Sequence, residues 1–179
     1  MPSELKERRE IVAFLGALCL LFSAVEYLIP KPLPFFRLGL ANLPLLIGLK
    51  FLRPTDLILV LLLKIIGQGL INGTLASYVF LFSLAGSVSS LLMMGLVHRI
   101  GGRFVSFIGI SLSGALASSI VQVVLAIAFV FGETARIIAP LSLGSAIVAG
   151  LLIGIFAERF ASESIWLRDL ERRYRGVVE

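Results

Sequence analysis

Apolar residues in this sequence form long unbroken runs and do not alternate with polar ones. Leu57–Leu63, for example, is seven consecutive aliphatic residues. Such runs are typical of helices inside a bilayer, where the backbone must satisfy its own hydrogen bonds. We therefore predict six membrane-spanning helices, at Ile11–Ile29, Leu38–Leu52, Leu57–Ile71, Leu75–Val97, Phe104–Phe131 and Ile137–Ala157.

The composition gives the same fold class, an all-α polytopic membrane protein. Of 179 residues, 58% are hydrophobic, and the mean hydropathy is +1.02. We divide the chain into a transmembrane domain at residues 1–157 and a charged cytoplasmic tail at residues 158–179. In the tail, Trp166, Leu170 and Tyr174 recur every four residues, which predicts a short amphipathic helix on anionic lipid.

The distribution of basic residues predicts the orientation. Six spans place both termini on one side, and Lys and Arg are enriched on the cytoplasmic side of membrane proteins. With cytoplasmic termini, only Lys31, Arg37 and Arg136 lie outside. Twelve lie inside: Lys6, Arg8, Arg9, Lys50, Arg53, Arg99, Arg103, Arg159, Arg168, Arg172, Arg173 and Arg175. We predict a multi-pass protein of the cytoplasmic (inner) membrane, with both termini cytoplasmic.

A polar stripe in the third span is the strongest candidate for a binding site. Lys64, Gln68 and Asn72 are spaced four apart, so they follow one side of a helix. An ammonium at mid-membrane costs about 3 kcal/mol and normally faces a protein interior or a wet cavity. We interpret the stripe as the lining of a substrate pocket. The alternative is that Lys64 pairs with a carboxylate such as Glu26 only to hold helices together.

Other polar residues extend the predicted pocket. In the second span, Arg37 and Asn42 lie close to Pro44, whose missing N–H frees a carbonyl and makes the helix irregular. Gln122 in the fifth span is a further candidate, with an interhelical hydrogen bond as the alternative. The proline-rich loop Pro30–Phe36 is either a lid over the pocket or a stiff turn with interfacial aromatics.

Small residues on the first span suggest a face for helix docking. Ala13 and Ala17 are separated by three residues, a spacing that lets a second helix approach closely in lipid. Packing within the molecule explains the same spacing equally well.

The sequence lacks the patterns of the common catalytic sites. It contains no Asp-Asp-x-x-Asp for a magnesium-bound diphosphate, no Walker loop, no dinucleotide fingerprint and no His/Cys metal set. One His and one Cys leave little for a nucleophile–base pair. We expect no enzymatic activity, no metal, no cofactor and no nucleic-acid partner.

Three segments resemble the "Gx transporter" family, which is also labelled heptaprenyl diphosphate synthase component I. They are Arg37–Pro44, Lys64–Thr74 and Ser77–Gly86, and the resemblance extends over about Ile11–Ala157. That family is similar to the substrate-binding S components of energy-coupling factor (ECF) transporters, which are six-helix membrane proteins.

The resemblance implies an S-component-like bundle that takes up a small vitamin-like or partly apolar molecule. It also implies a coupling transmembrane subunit that docks at Ala13 and Ala17, and partner ATPases that supply the driving force. On this view the substrate-binding residues are Lys64, Gln68, Asn72, Asn42, Arg37, Gln122 and Glu26. The alternative function is a non-catalytic membrane accessory in polyprenyl diphosphate or quinone metabolism.

Overall fold

The computed structural model describes residues 2–29, 39–165, 167 and 169, and this part of the chain is helical without strands. Short 3₁₀ turns flank several helices, and α5 continues as a π-helix at Ile127–Phe131. The six α-helices are α1 Pro2–Leu28, α2 Leu43–Gly48, α3 Pro54–Ile71, α4 Tyr78–Gly101, α5 Phe107–Ala126 and α6 Ala135–Glu163.

Five of these helices are long and apolar enough to cross a membrane. Their membrane-compatible stretches are Arg8–Leu28, Pro54–Ile71, Tyr78–Gly101, Phe107–Phe131 and Arg136–Glu163. Large aliphatic side chains on the outside of the bundle are exposed, among them Leu92 at 68% and Leu152 at 63%. An apolar exterior of this kind suits lipid. The chain is therefore a multi-pass helical membrane protein.

The predicted second span is not confirmed as a membrane-crossing helix. Its described part contains a 3₁₀ turn at Leu40–Asn42 and then α2, which has only six residues. At 1.5 Å per residue α2 is about 9 Å long, against a hydrocarbon core of roughly 30 Å. Every residue of α2 is buried, including Pro44 in its first turn. An apolar run has the same sequence pattern whether lipid or protein surrounds it, and α2 is surrounded by protein.

α1 and α3 run parallel. Their contacts advance together along both helices: Arg8 with Asp56, then Gly16 with Leu63, then Leu20 with Gly67. The first of these is an ion pair of 2.5 Å between Arg8 Nη2 and Asp56 Oδ2. Because α1 and α3 start at the same end, the end of α1 and the start of α3 lie at opposite ends of the bundle, and the chain has to return between them.

The described part of this return path runs from mid-depth to the starting end of α1. Asn42 contacts Lys64, which is near the middle of α3. Eight residues later the Lys50 ammonium lies 4.1 Å from the centroid of the Phe107 ring, at the start of α5. Segment 39–52 therefore descends between the long helices.

The remaining helices alternate in direction. Antiparallel contacts link α3 to α4, α4 to α5 and α5 to α6: Lys64 with Ser87, Gln68 with Ser83, Gly86 with Gln122, Met94 with Gly114, Ser119 with Ser142, and Phe107 with Glu158. The start of α1 and the end of α6 consequently lie at the same end of the bundle. We call it the basic end, since it carries Arg8, Arg9, Lys50, Arg53, Arg99 and Arg159. The opposite, far end carries Arg136.

Glycines permit the close packing of α5 on α6. A Cβ at Gly154 would lie 2.6 Å from Ile108 Cα, and one at Gly150 would lie 3.1 Å from Leu112 Cα. Three residues separate these two glycines, a pattern that lets membrane helices bring their backbones close together.

Several sequence predictions concern exposed or undescribed regions. Ala13 and Ala17 lie on an exposed face of α1, whereas Gly16 makes the contact with α3. α6 continues to Glu163, six residues beyond the predicted domain boundary. The predicted lid Pro30–Phe36 and the tail residues Trp166, Leu170 and Tyr174 lie outside the described residues.

Candidate functional site

A polar cavity lies between α3, α4, α5 and α6, and segment 39–46 and the end of α1 also contribute to it. Its water-accessible volume is about 50 Å³, whereas one water needs roughly 10–15 Å³, so it has room for a few waters or a small ligand. It is lined by Glu26, Gly39, Ala41, Asn42, Leu46, Lys64, Gln68, Ser87, Ser90, Met94, Ser111, Ala115, Ser118, Ser119, Gln122, Ser142, Ser145, Ala146 and Ile153.

Lys64 is the buried cation of this cavity. It lies ten residues after Pro54 and seven before Ile71, or about 15 and 10 Å from the two ends of α3. Its side chain is 3% exposed, and its ammonium donates to Asn42 Oδ1 and, over 2.9 Å, to Ser87 Oγ. These hydrogen bonds partly replace the water that a buried ammonium loses.

Segment 39–42 places Asn42 beside Lys64. Gly39 has a φ of +81°, a left-handed conformation that favours glycine, and its carbonyl accepts from the Asn42 N–H at 2.8 Å. The Asn42 amide accepts from Lys64 through Oδ1 and approaches Ser90 Oγ at 3.4 Å through Nδ2. One amide thus links α3 and α4 across the cavity.

Glu26 is the only acidic residue of the described cavity lining. It lies two residues before the end of α1, near the far end of the bundle, and is 3% exposed. Ser23, one turn earlier on the same buried side of α1, has a hydroxyl without a hydrogen-bond partner among the described residues. The cavity therefore has one carboxylate and one ammonium in its described lining.

Hydroxyl and amide groups fill the part of the cavity formed by α5 and α6. The hydroxyls of Ser119 and Ser142 are 2.8 Å apart and join the two helices. Gln122 is 5% exposed, and its Nε2 donates to Ser118 Oγ within α5 at 3.1 Å. These groups can donate to or accept from a ligand, but they supply no strong nucleophile or base.

The structure brings five of the seven predicted binding residues to one cavity: Lys64, Gln68, Asn42, Gln122 and Glu26. Asn72 lies outside it, because α3 ends at Ile71 and Asn72 caps that end. Its Oδ1 is buried without a hydrogen-bond partner in the described chain. Arg37 is outside the described residues.

Serines are the lining residues that sequence reasoning missed. Ser87 and Ser90 on α4, and Ser111 and Ser118 with Gln122 on α5, have the spacing of one helical face, but small residues at this spacing are equally typical of helix packing. Ser142 and Ser145 on α6 face the same cavity. The sequence signal that could have identified these lining residues is a helical face that carries serines together with an amide.

Fold and cavity together define a multi-pass helical membrane protein with a buried polar cavity at mid-depth. A family model described as heptaprenyl diphosphate synthase component I matches residues 15–160, and the chain belongs to that family. No curated protein matches the chain, and neither does any solved structure. Among the described residues, no cluster of His, Cys, Asp or Glu is suited to a metal ion.

Proposed function

We propose that this chain is an integral membrane subunit that binds a small molecule in the cavity around Lys64. The observation that carries the proposal is the position of this ammonium, buried at mid-depth and hydrogen-bonded to Asn42 and Ser87 in a polar cavity. Ionisable groups within membrane bundles commonly mark substrate pathways. The role that fits best is that of an S component in an ECF-type transporter.

The proposed membrane topology has six crossings. Five helices span the bilayer, and the parallel arrangement of α1 and α3 calls for a sixth crossing through segment 29–53. The short helix α2 carries the lower part of that crossing. Since basic residues favour the cytoplasmic side, we assign the basic end, and with it both termini, to the cytoplasm.

Coupling to a transport motor belongs to the same proposal. Ala13 and Ala17 lie on the exposed face of α1, where another transmembrane subunit can approach closely. ATPases bound to that subunit would supply the driving force. The chain itself would bind and release the substrate without catalysis.

The family description supports a second candidate function, a non-catalytic membrane component of a polyprenyl diphosphate synthase. A diphosphate carries several negative charges, whereas the described cavity lining offers one ammonium and one carboxylate. The cavity therefore favours substrate binding, and an accessory role would need another surface.

The two functions are tested by purifying the protein in mild detergent and identifying co-bound molecules by native mass spectrometry. We expect a small molecule on the wild type, loss of it in Lys64→Met, and retention in Lys50→Met, whose ammonium lies outside the cavity. Co-purification of a polyprenyl lipid and a synthase partner, unchanged by Lys64→Met, would overturn the binding proposal. Thermal melting of each variant separates lost binding from lost folding.

A further inference from the structure

The lining of the cavity changes in chemistry along the bundle. At mid-depth, Lys64, Asn42 and Ser87 form a hydrogen-bonded polar group. α4 runs from the far end to the basic end, and Met94 lines the same cavity seven residues after Ser87, about 10 Å closer to the basic end. The Met94 side chain is buried. The cavity therefore extends from a polar middle toward an apolar region.

Two further residues complete the apolar end. Ile153 precedes Gly154, which packs on the backbone of Ile108 at the start of α5, so Ile153 lies toward the basic end. Leu46 lies in segment 39–52, which descends in the same direction. Leu46, Met94 and Ile153 all line the cavity, and all three belong to the apolar core of the bundle. We call these three residues the apolar floor.

The two regions suit different parts of one ligand. At mid-depth the amides of Asn42 and Gln122 and the hydroxyl of Ser87 can donate hydrogen bonds to a carbonyl or carboxylate oxygen. Against the floor, each aliphatic carbon that leaves water strengthens binding about fourfold. Ser111 adds a hydroxyl near the floor, but its side chain is small. A chain of carbons attached to an oxygen-bearing head group therefore matches the cavity.

We propose that the cavity binds a short aliphatic molecule whose head group carries a carbonyl or carboxylate oxygen. The head group lies at mid-depth, and the chain points toward the apolar floor. Met94 and Ile153 determine the longest chain that fits. The inference rests on the proposed binding function, and it names the substrate class and the residues that select its length.

Two substitutions should change the accepted chain length in opposite directions. Met94→Ala removes most of a side chain that lines the floor, so we expect chains too long for the wild type to bind roughly tenfold more tightly. A Cβ at Gly114 would lie 2.5 Å from Met94 Cγ and 2.9 Å from Ser90 Oγ. Both side chains line the cavity, so Gly114→Ala should push them into it and shorten the chain that binds best.

Isothermal titration of the purified protein in detergent measures the accepted length with two series of probes. One series consists of the straight-chain carboxylates from acetate to hexanoate, and the other of the primary amides from acetamide to hexanamide. In at least one series we expect the affinity of the wild type to rise about fourfold for each added carbon and to fall beyond a limiting length. Titration into protein-free detergent corrects for partition into micelles.

Gly95→Ala is the control next to Met94, because a Cβ at Gly95 meets nothing within 4 Å, and it should keep the limiting length of the wild type. Thermal melting identifies a variant that does not fold. Ile153→Val, which removes one methyl group from the floor, then tests the same lengthening with less disturbance. Affinity that is independent of chain length, or a limiting length shared by all folded variants, would overturn the inference and leave the binding function intact.

Two further outcomes separate the inference from the function on which it rests. If no probe of either series binds, while the molecule that co-purifies with the wild type depends on Lys64, the substrate class is wrong and the binding function stands. If no probe binds and no co-bound molecule depends on Lys64, both fail.

Discussion

Lys64 shows how far a single residue could be interpreted from the sequence. Its position after seven aliphatic residues predicted a buried ammonium, and the structure places it in a polar cavity. Asn42, Gln122 and Glu26 were also predicted as binding residues, because amides and carboxylates are rare in apolar helices, and all three line the cavity. The serines were not predicted, since a serine in a membrane helix serves equally well as a small packing residue.

At the residue scale we predict that Gly86→Ala weakens ligand binding. A Cβ at Gly86 would lie 2.5 Å from Gln122 Nε2 and 2.8 Å from Ser118 Oγ. A methyl group there displaces the Gln122 side chain, which is flexible, so we expect a threefold or larger loss of affinity on the order of 0.7 kcal/mol. Titration of the ligand identified on the purified wild type measures this.

Gly95→Ala is the control on the same helix, because a Cβ at Gly95 meets nothing within 4 Å. Unchanged affinity in Gly86→Ala, with Gly95→Ala also unchanged, would mean that Gln122 does not contact the ligand.

At the scale of the elements, the four long helices from α3 to α6 were predicted to within a few residues at most boundaries. α3, for instance, was predicted at Leu57–Ile71 and spans Pro54–Ile71. The length of the hydrophobic run predicts where such helices begin and end, because a helix needs about 20 residues to cross a hydrocarbon core of roughly 30 Å. α2 could not be predicted as a short helix, because burial in protein and burial in lipid select the same apolar residues. Only the neighbouring helices decide between them.

The packing of α5 on α6 leads to a prediction about stability. In Gly154→Ala the new methyl group lies 2.6 Å from the Ile108 backbone, which cannot rotate away as a side chain can. We expect a destabilisation of about 1–3 kcal/mol, the range for overpacked cores. The measurement is the melting temperature in detergent, determined from the loss of monodisperse protein on heating.

Gly144→Ala provides the comparison on α6, since a Cβ at Gly144 meets nothing within 4 Å. It should melt at or slightly above the wild-type temperature, because alanine is the better helix former. If both variants melt alike, Gly154 is not a packing contact in the folded protein.

For the whole molecule, the parallel pair α1 and α3 is the observation that supports the proposed six-crossing topology. Five long helices in simple succession would place the ends of the chain on opposite sides of a membrane. The contacts from Arg8–Asp56 to Leu20–Gly67 exclude a simple antiparallel succession of α1 and α3. Such contacts join residues 47 or 48 positions apart, and hydropathy along one sequence contains no information about them. The distribution of basic residues concerns the orientation alone: given six crossings, it predicts that both termini are cytoplasmic.

Cysteine accessibility tests this topology in intact cells. The native Cys19 is buried, so a membrane-impermeant maleimide should report only introduced cysteines. Ala76→Cys and Thr134→Cys lie in exposed turns at the far end, and we expect both to be labelled from outside. Arg53→Cys and Ser162→Cys lie at exposed positions of the basic end and should react only after the cells are made permeable.

A fifth position, Glu10→Cys, is exposed near the start of α1 and lies before segment 29–53, and it should also react only after the cells are made permeable. Labelling of Glu10→Cys, Arg53→Cys and Ser162→Cys in place of the other two would mean that the bundle is inverted, while its six crossings remain. Labelling of Arg53→Cys and Ser162→Cys without Glu10→Cys, or of Glu10→Cys together with Ala76→Cys and Thr134→Cys, would mean that segment 29–53 does not return across the membrane. The parallel packing of α1 and α3 would then be wrong, and the cavity, which needs Asn42 beside Lys64, would lose one of its walls.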